Sequence, residues 1–92
     1  MYINLCFDYY SEIIYVPDGY INDLEEVYSN FFKWLETKSD YIVNQKGNNI
    51  VTTLSYDANS FIQYINEDIL QNKEKSYIVK KKKYRKVYKL KF

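Results

Sequence analysis

The side chains in this chain best suited to chemistry are cations. Lys80, Lys81, Lys82, Lys83, Arg85, Lys86 and Lys89 fall within ten positions, interrupted by Tyr84, Val87 and Tyr88. Ammonium and guanidinium groups neutralise phosphates and release their counterions, while tyrosine rings stack on unpaired bases. Engaging about six phosphates would cut affinity by roughly three orders of magnitude between 50 and 200 mM salt. The run belongs to a wider polarity. Residues 73–92 hold ten of the thirteen basic residues against Glu74, a formal charge of +9, whereas residues 1–72 carry −8. The overall +1 hides this division. Separate fields of opposite sign steer partners; they describe a binding surface, not a reaction.

Catalytic groupings are missing from the sequence. Histidine is absent, so there is no imidazole base. Cys6 is the only cysteine and stands in a strand-like stretch with no partner base, which excludes an internal disulfide and a thiolate metal cluster. Glu25-Glu26 and Glu67-Asp68 are adjacent pairs, which splay around a helix and do not face one another. No spaced carboxylate loop of the calcium-binding kind occurs, and two glycines, Gly19 and Gly47, supply no phosphate-cradling loop. The expectation is a non-enzymatic protein with no cofactor and no metal.

The elements that must position these residues show in the periodicity. Met1, Ile3, Leu5 and Phe7 alternate with Tyr2, Asn4, Cys6 and Asp8, the period of a half-buried strand. Tyr9-Tyr10-Ser11 reads as a turn, and Glu12-Ile13-Ile14-Tyr15-Val16 as a second strand ended by Pro17. Asp18-Gly19 then offers a turn and a helix cap. From about Tyr20 to Lys38 the apolar step changes to three and four: Ile21, Leu24, Tyr28, Phe31 and Leu35, widened by Val27, Phe32 and Trp34. Asp23, Glu25 and Glu26 lie early in this helix and Lys33 and Lys38 late, as its dipole favours. Residues 41–44 and 50–54 flank a Gly/Asn cluster and read as a hairpin. Asp57 caps a second helix with the stripe Ala58, Phe61, Ile62, Ile65 and Ile69 and the wet face Asn59, Ser60, Gln63, Asn66 and Glu67. In the last segment Tyr84, Tyr88, Leu90 and Phe92 share one parity, and Lys83, Arg85, Lys89 and Lys91 the other, so a strand is expected. Tyr77-Ile78-Val79 either starts that strand or forms a short one of its own. The fold class that follows is α+β: a small antiparallel sheet with two helices on one face, in the order β-β-α-β-β-α-β. Its 92 residues make one domain, an acidic body over 1–72 and a basic terminal strand or tail over 73–92.

Each charged region has a plain reading beside a sharper one. Alternation puts the tyrosines of the terminal strand and most of its lysines on opposite faces, which favours core tyrosines and solvated lysines over a stacking surface. The acids are a solvated surface, or a face that fills a basic groove meant for nucleic acid on another protein. In that case aromatic anchors supply most of the affinity and charge supplies speed and specificity. The candidates are Tyr9, Tyr10, Tyr20 and Trp34, of which Trp34 is equally a core residue; Glu25 and Glu26 are candidate contact residues too. Twelve tyrosines are no signal in themselves, because Tyr, Ile, Asn and Lys, all with AT-rich codons, make 43 of the 92 residues.

Three stretches carry a resemblance: Glu12-Ile13-Ile14-Tyr15-Val16-Pro17-Asp18, Phe31-Phe32-Lys33-Trp34-Leu35 and Ser60-Phe61-Ile62-Gln63-Tyr64-Ile65-Asn66. They resemble small uncharacterised proteins of AT-rich bacteria and their phages and mobile elements, over residues 1–72. The basic terminus is this chain's own addition. In size and absence of motifs the chain is also similar to anti-CRISPR and other anti-defence inhibitors, which work by binding and blocking. The resemblance implies a phage-type accessory protein that blocks a nucleic-acid-handling complex. The alternative is a nucleic-acid-binding module acting through Lys80, Lys81, Lys82, Lys83, Arg85, Lys86 and Lys89. A homodimer through the terminal strand is a third reading. No run of about eighteen apolar residues occurs and the start lacks a basic, then apolar leader, so a cytoplasmic protein without a membrane segment is expected.

Overall fold

The computed structural model describes residues 1–38, 42–45, 51–54, 56–80 and 86–92, with backbone alone for 42–45 and 51–54. Strands β1 (Tyr2–Cys6) and β2 (Ser11–Tyr15) form an antiparallel hairpin with Ile3 opposite Ile14. Its turn is closed by the Phe7 N–H donating to the Tyr10 carbonyl at 2.9 Å, so Ser11 already belongs to β2. Pro17 is buried just past the end of β2, where a missing N–H costs the ladder nothing.

Helix α1 covers Leu24–Glu36, not Tyr20 to Lys38. Asp18-Gly19 makes the turn, with Gly19 at φ 90°, but the cap is Asp23. The Asp23 carboxylate accepts from the N–H groups of Glu25 and Glu26 at 3.0 and 3.4 Å, satisfying donors a first helical turn leaves free. Residues 20–22 are spent reaching that cap. Val27, Phe31, Trp34 and Leu35 face the core, which makes Trp34, at 7% exposure, a packing residue and not a surface anchor.

Strands β3 (Ile42–Gln45) and β4 (Val51–Leu54) pair antiparallel with Ile42 opposite Leu54. They form a two-stranded sheet of their own and do not join β1 and β2. Helix α2 (Ala58–Tyr64) starts at Asp57 in a capping box. Asp57 Oδ1 accepts from the Ser60 N–H at 2.9 Å, and Ser60 Oγ accepts from the Asp57 N–H at 2.8 Å. Ser60 is therefore buried, not part of the wet face. Residues Ile65–Ile69 then continue as a π-helical turn, in which the Leu70 N–H reaches the Ile65 carbonyl at 2.8 Å. The wider turn advances the buried stripe by one residue, so Leu70 is fully buried while Ile69 is half-buried. Gln71 and Asn72, both with positive φ, end the helix.

The remaining strands correct the expected sheet. Tyr77–Val79 is a separate strand, β5, antiparallel to β2, and Val87–Lys91 is β6, parallel to β1. The four-stranded sheet runs β5-β2-β1-β6, so it is mixed and the element order is β-β-α-β-β-α-β-β. Alternation of side chains is the same in both senses of pairing, which is why periodicity showed β6 without its direction. β6 sits with Leu90 beside Leu5 and Tyr88 beside Ile3, which extends the apolar face of β1. That face, with Ile14 and Val16, packs against Phe31, Leu35, Phe61, Tyr64, Ile65 and Leu70 of the helical segments. Phe31 lies at its centre, 5.1 Å from the ring of Phe61 and 5.9 Å from that of Phe92.

Candidate functional site

Three surfaces answer the charged and aromatic residues singled out in the sequence. The first is the sheet face turned away from the helices. Register places Tyr77, Tyr15, Tyr2 and Val87 in one row across β5, β2, β1 and β6. The three tyrosine rings touch in sequence, Tyr2 to Tyr15 at 5.5 Å and Tyr15 to Tyr77 at 5.4 Å. Tyr77 is 53% exposed, and Tyr2 and Tyr15 are half-buried. Burial first, then the nearby Asp18 carboxylate, holds the Tyr15 hydroxyl above its usual pKa. The same face carries Lys89 opposite Asn4 and Lys91 opposite Cys6, both exposed. The expected separation of tyrosine from lysine thus holds within β6, where Tyr88 and Leu90 turn inward, but fails for the sheet. Strands β1, β2 and β5 bring other tyrosines to the lysine side. Lys80 and Lys86 are exposed, and the Lys86 ammonium lies 4.9 Å over the Tyr88 ring. The Tyr88 hydroxyl, by its hydrogen bond and charge, raises the Lys86 pKa. Lys81, Lys82, Lys83, Tyr84 and Arg85 lie outside the described residues.

The second surface opens at the start of α1. A cavity of about 260 Å³ is lined by Tyr20, Asp23, Glu26, Tyr64 and neighbouring residues. It brings Tyr20 and Glu26 together; Glu25 stands exposed one residue before, outside the lining. A hydrogen bond from the Tyr20 hydroxyl to Glu74 is the main reason its pKa lies above the usual value. Burial, followed by the charges of Asp68 and Glu26, raises that of Tyr64. Two carboxylates, Asp23 and Glu26, and two tyrosines, Tyr20 and Tyr64, thus line one opening, with Glu74 and Asp68 acting on the tyrosines from beside it.

The third surface is at the tip of the β1–β2 hairpin. A cavity of about 210 Å³ joins Tyr9 and Tyr10 with Phe7, Asp8, Tyr56 and Phe92. Tyr9 is 99% exposed.

No protein family, curated protein or solved structure matches this chain.

The tyrosine anchors thus divide between two carboxylate-lined openings, Trp34 belongs to neither, and neither includes the described lysines. Sequence reasoning missed the Tyr2-Tyr15-Tyr77 row, Lys91, and the rings that complete the hairpin cavity. Part of the signal was present, since Tyr2 has the parity opposite to Ile3 and Leu5. What joins it to Tyr15 and Tyr77 is register between strands. Among the described residues no three His, Cys, Asp or Glu side chains are grouped to hold a metal ion. Among them, too, no helix is long and apolar enough to cross a membrane.

Proposed function

We propose that the protein is a non-enzymatic accessory protein that binds a basic, nucleic-acid-handling surface of a macromolecular complex and blocks it. The opening at the start of α1 carries this reading, because Tyr20, Asp23 and Glu26 place aromatic area and negative charge at one spot. A partner groove built for phosphates offers the complementary charge, and rings supply contact area at low entropic cost. The style of the sequence, small and without catalytic motifs, supports the phage-type, anti-CRISPR-like version of this role. The test is capture of the complex on the tagged chain, followed by assay of its nucleic-acid binding or cleavage with added protein. Wild-type protein should suppress that activity, and a Tyr20→Ala/Glu26→Lys variant should suppress it at least tenfold less well, a loss of about 1.4 kcal/mol or more. Undiminished activity under saturating wild-type protein would sink the reading.

A second reading, a nucleic-acid-binding module, is favoured by the outer sheet face, where Tyr2, Tyr15 and Tyr77 share a surface with Lys89 and Lys91. Tyrosines on an open sheet stack on unpaired bases and the lysines hold the backbone. Anisotropy titration with labelled single strands should then show a steep salt slope, weakened by Tyr77→Ala and by Lys89→Gln/Lys91→Gln. An absence of binding at about 50 mM salt removes this reading. Self-association remains a proposal on a narrower footing. β6 is an edge strand of the four-stranded sheet, and its lysines are the kind that discourage strand addition. Sedimentation mass tests it.

A further inference from the structure

We propose that the cavity lined by Phe7, Asp8, Tyr9, Tyr10, Tyr56 and Phe92 is a receptor for a guanidinium group, the side chain of an arginine on a partner protein. The inference rests on the binding reading above only in taking the arginine from a protein; the receptor itself answers to a free cation.

Size sets the first limit. About 210 Å³ is below the roughly 300–1,000 Å³ of sites that enclose a whole small molecule, and suits a single side chain. Ring geometry sets the second. Phe7 is stacked between Tyr10 at 4.7 Å and 18° and Phe92 at 4.9 Å and 13°. Tyr56 leans on this stack, 41° from Phe7 and 42° from Phe92. Ring faces carry negative potential and attract cations. Both faces of Phe7 are taken up by its neighbours, so the face left for a planar cation is the outward one of Tyr10, a residue 47% exposed, on which a flat guanidinium stacks more fully than a compact ammonium.

The stack is built in advance. The Phe7 N–H closes the hairpin turn on the Tyr10 carbonyl, and the Phe92 N–H donates to the Cys6 carbonyl at 2.8 Å. Behind them the Phe32 ring meets Tyr56 edge-on at 5.3 Å, and Phe61 meets Phe92 at 5.4 Å. Binding then costs little ordering of the receptor. Tyr9, with almost no packing of its own, is free to cover the aliphatic stem of the ligand.

Charge chooses the ligand's sign. Asp8 lines the cavity and is exposed. The Tyr10 hydroxyl is held above its usual pKa by burial first and then by the negative charge of Asp57 and Glu12, so two further carboxylates act at this spot. Asp57 is fixed there by capping α2. Lys91, next to Phe92 in sequence, belongs to the opposite face of the sheet, in register with Cys6. A carboxylate-rimmed site repels phosphate, which argues against a nucleotide as the occupant.

The probes are N-acetyl-arginine amide, its neutral isostere N-acetyl-citrulline amide, and uridine monophosphate, each titrated into the full-length chain while ring proton signals are followed by NMR. The arginine amide should give saturable shifts of Phe7, Tyr10, Tyr56 and Phe92 in the millimolar range. Citrulline amide should bind at least about fivefold more weakly, for want of the charge that ring faces attract. Asp8→Asn, an exposed substitution that leaves the core untouched, should weaken the arginine amide about three- to tenfold, since a charge-assisted contact is lost. Tyr10→Ala should abolish the shifts in protein whose circular dichroism is unchanged. Equal response to citrulline amide, no response to the arginine amide, or shifts of the same rings by uridine monophosphate overturns the proposal. If the arginine amide fails while the captured complex is still inhibited, the receptor falls and the blocking role stands. If the arginine amide binds and no complex is inhibited, the reverse holds.

Discussion

Asp57 and Ser60 exchange two hydrogen bonds at the start of α2, each side-chain oxygen accepting from the other's backbone N–H, a cap whose first residue was legible in the sequence. Asn66 looks equivalent on paper, one more polar residue on a wet helix face, yet it does something else. Its Oδ1 accepts from the buried Ser76 N–H at 2.7 Å, and Ser76 Oγ donates to the Tyr15 carbonyl at 2.6 Å. That relay fixes the approach of β5 to β2 across 61 positions of sequence, which no local pattern encodes. Asp57→Ala should cost about 1 kcal/mol, the usual worth of a cap. Asn66→Ala strands a buried donor and should cost more, about 1–3 kcal/mol. Urea midpoints at unchanged slope measure both, and a smaller loss at Asn66 would contradict the relay. Asn4 is the opposite case. Its Oδ1 is buried without a hydrogen-bond partner among the described residues, on the outer face between Ile13 and Lys89. Asn4→Val removes an unsatisfied acceptor from a strand and should raise the melting temperature.

Regular three- and four-residue steps from Ala58 pick out Ile69 as the last buried position of the stripe. The π-helical turn over Ile65–Ile69 moves that role to Leu70. Truncation distinguishes the two. Leu70→Ala should cost about 2–5 kcal/mol, the loss expected when a fully buried leucine leaves a cavity, and Ile69→Ala clearly less. A regular helix would reverse that order. β6 shows what periodicity does convey: Tyr88, Leu90 and Phe92 turn inward and Lys89 and Lys91 outward, as their parity requires. It could not convey that β6 lies parallel to β1, or that β5 occupies the far edge. In the same way Asp23 was recognisable as an early acidic residue of α1, but its promotion from helix interior to cap depended on how residues 18–22 turn.

Among the described residues the resolved ionisation shifts all point one way. Tyr10, Tyr15, Tyr20 and Tyr64 are raised from 10.0, and Lys86 from 10.5. The folded state therefore holds these protons more tightly than the unfolded chain. Their contribution is complete below about pH 10 and is lost as the pH climbs through the raised values, because the unfolded state ionises first. Melting temperature should decline above about pH 10, together with growth of tyrosinate absorbance. A melting temperature that rises there would contradict the environments described for these tyrosines. With no histidine in the chain, no side chain with an ordinary pKa between about 5 and 8 is available as a switch near neutrality.

The amino-acid order by itself determined the alternation of β1 and β6, the apolar stripe of α1, the cap at Asp57 and the division of charge between residues 1–72 and 73–92. Those properties depend on neighbours a few positions apart, where backbone preference and burial parity act directly. Tertiary structure alone decided that Tyr2, Tyr15 and Tyr77 form one row beside Lys89 and Lys91. It alone brought Phe7, Tyr10, Tyr56 and Phe92 around one cavity. Strand order and register are chosen by the summed burial of whole faces, and a sequence pattern of period two is satisfied equally by every neighbour and by either direction.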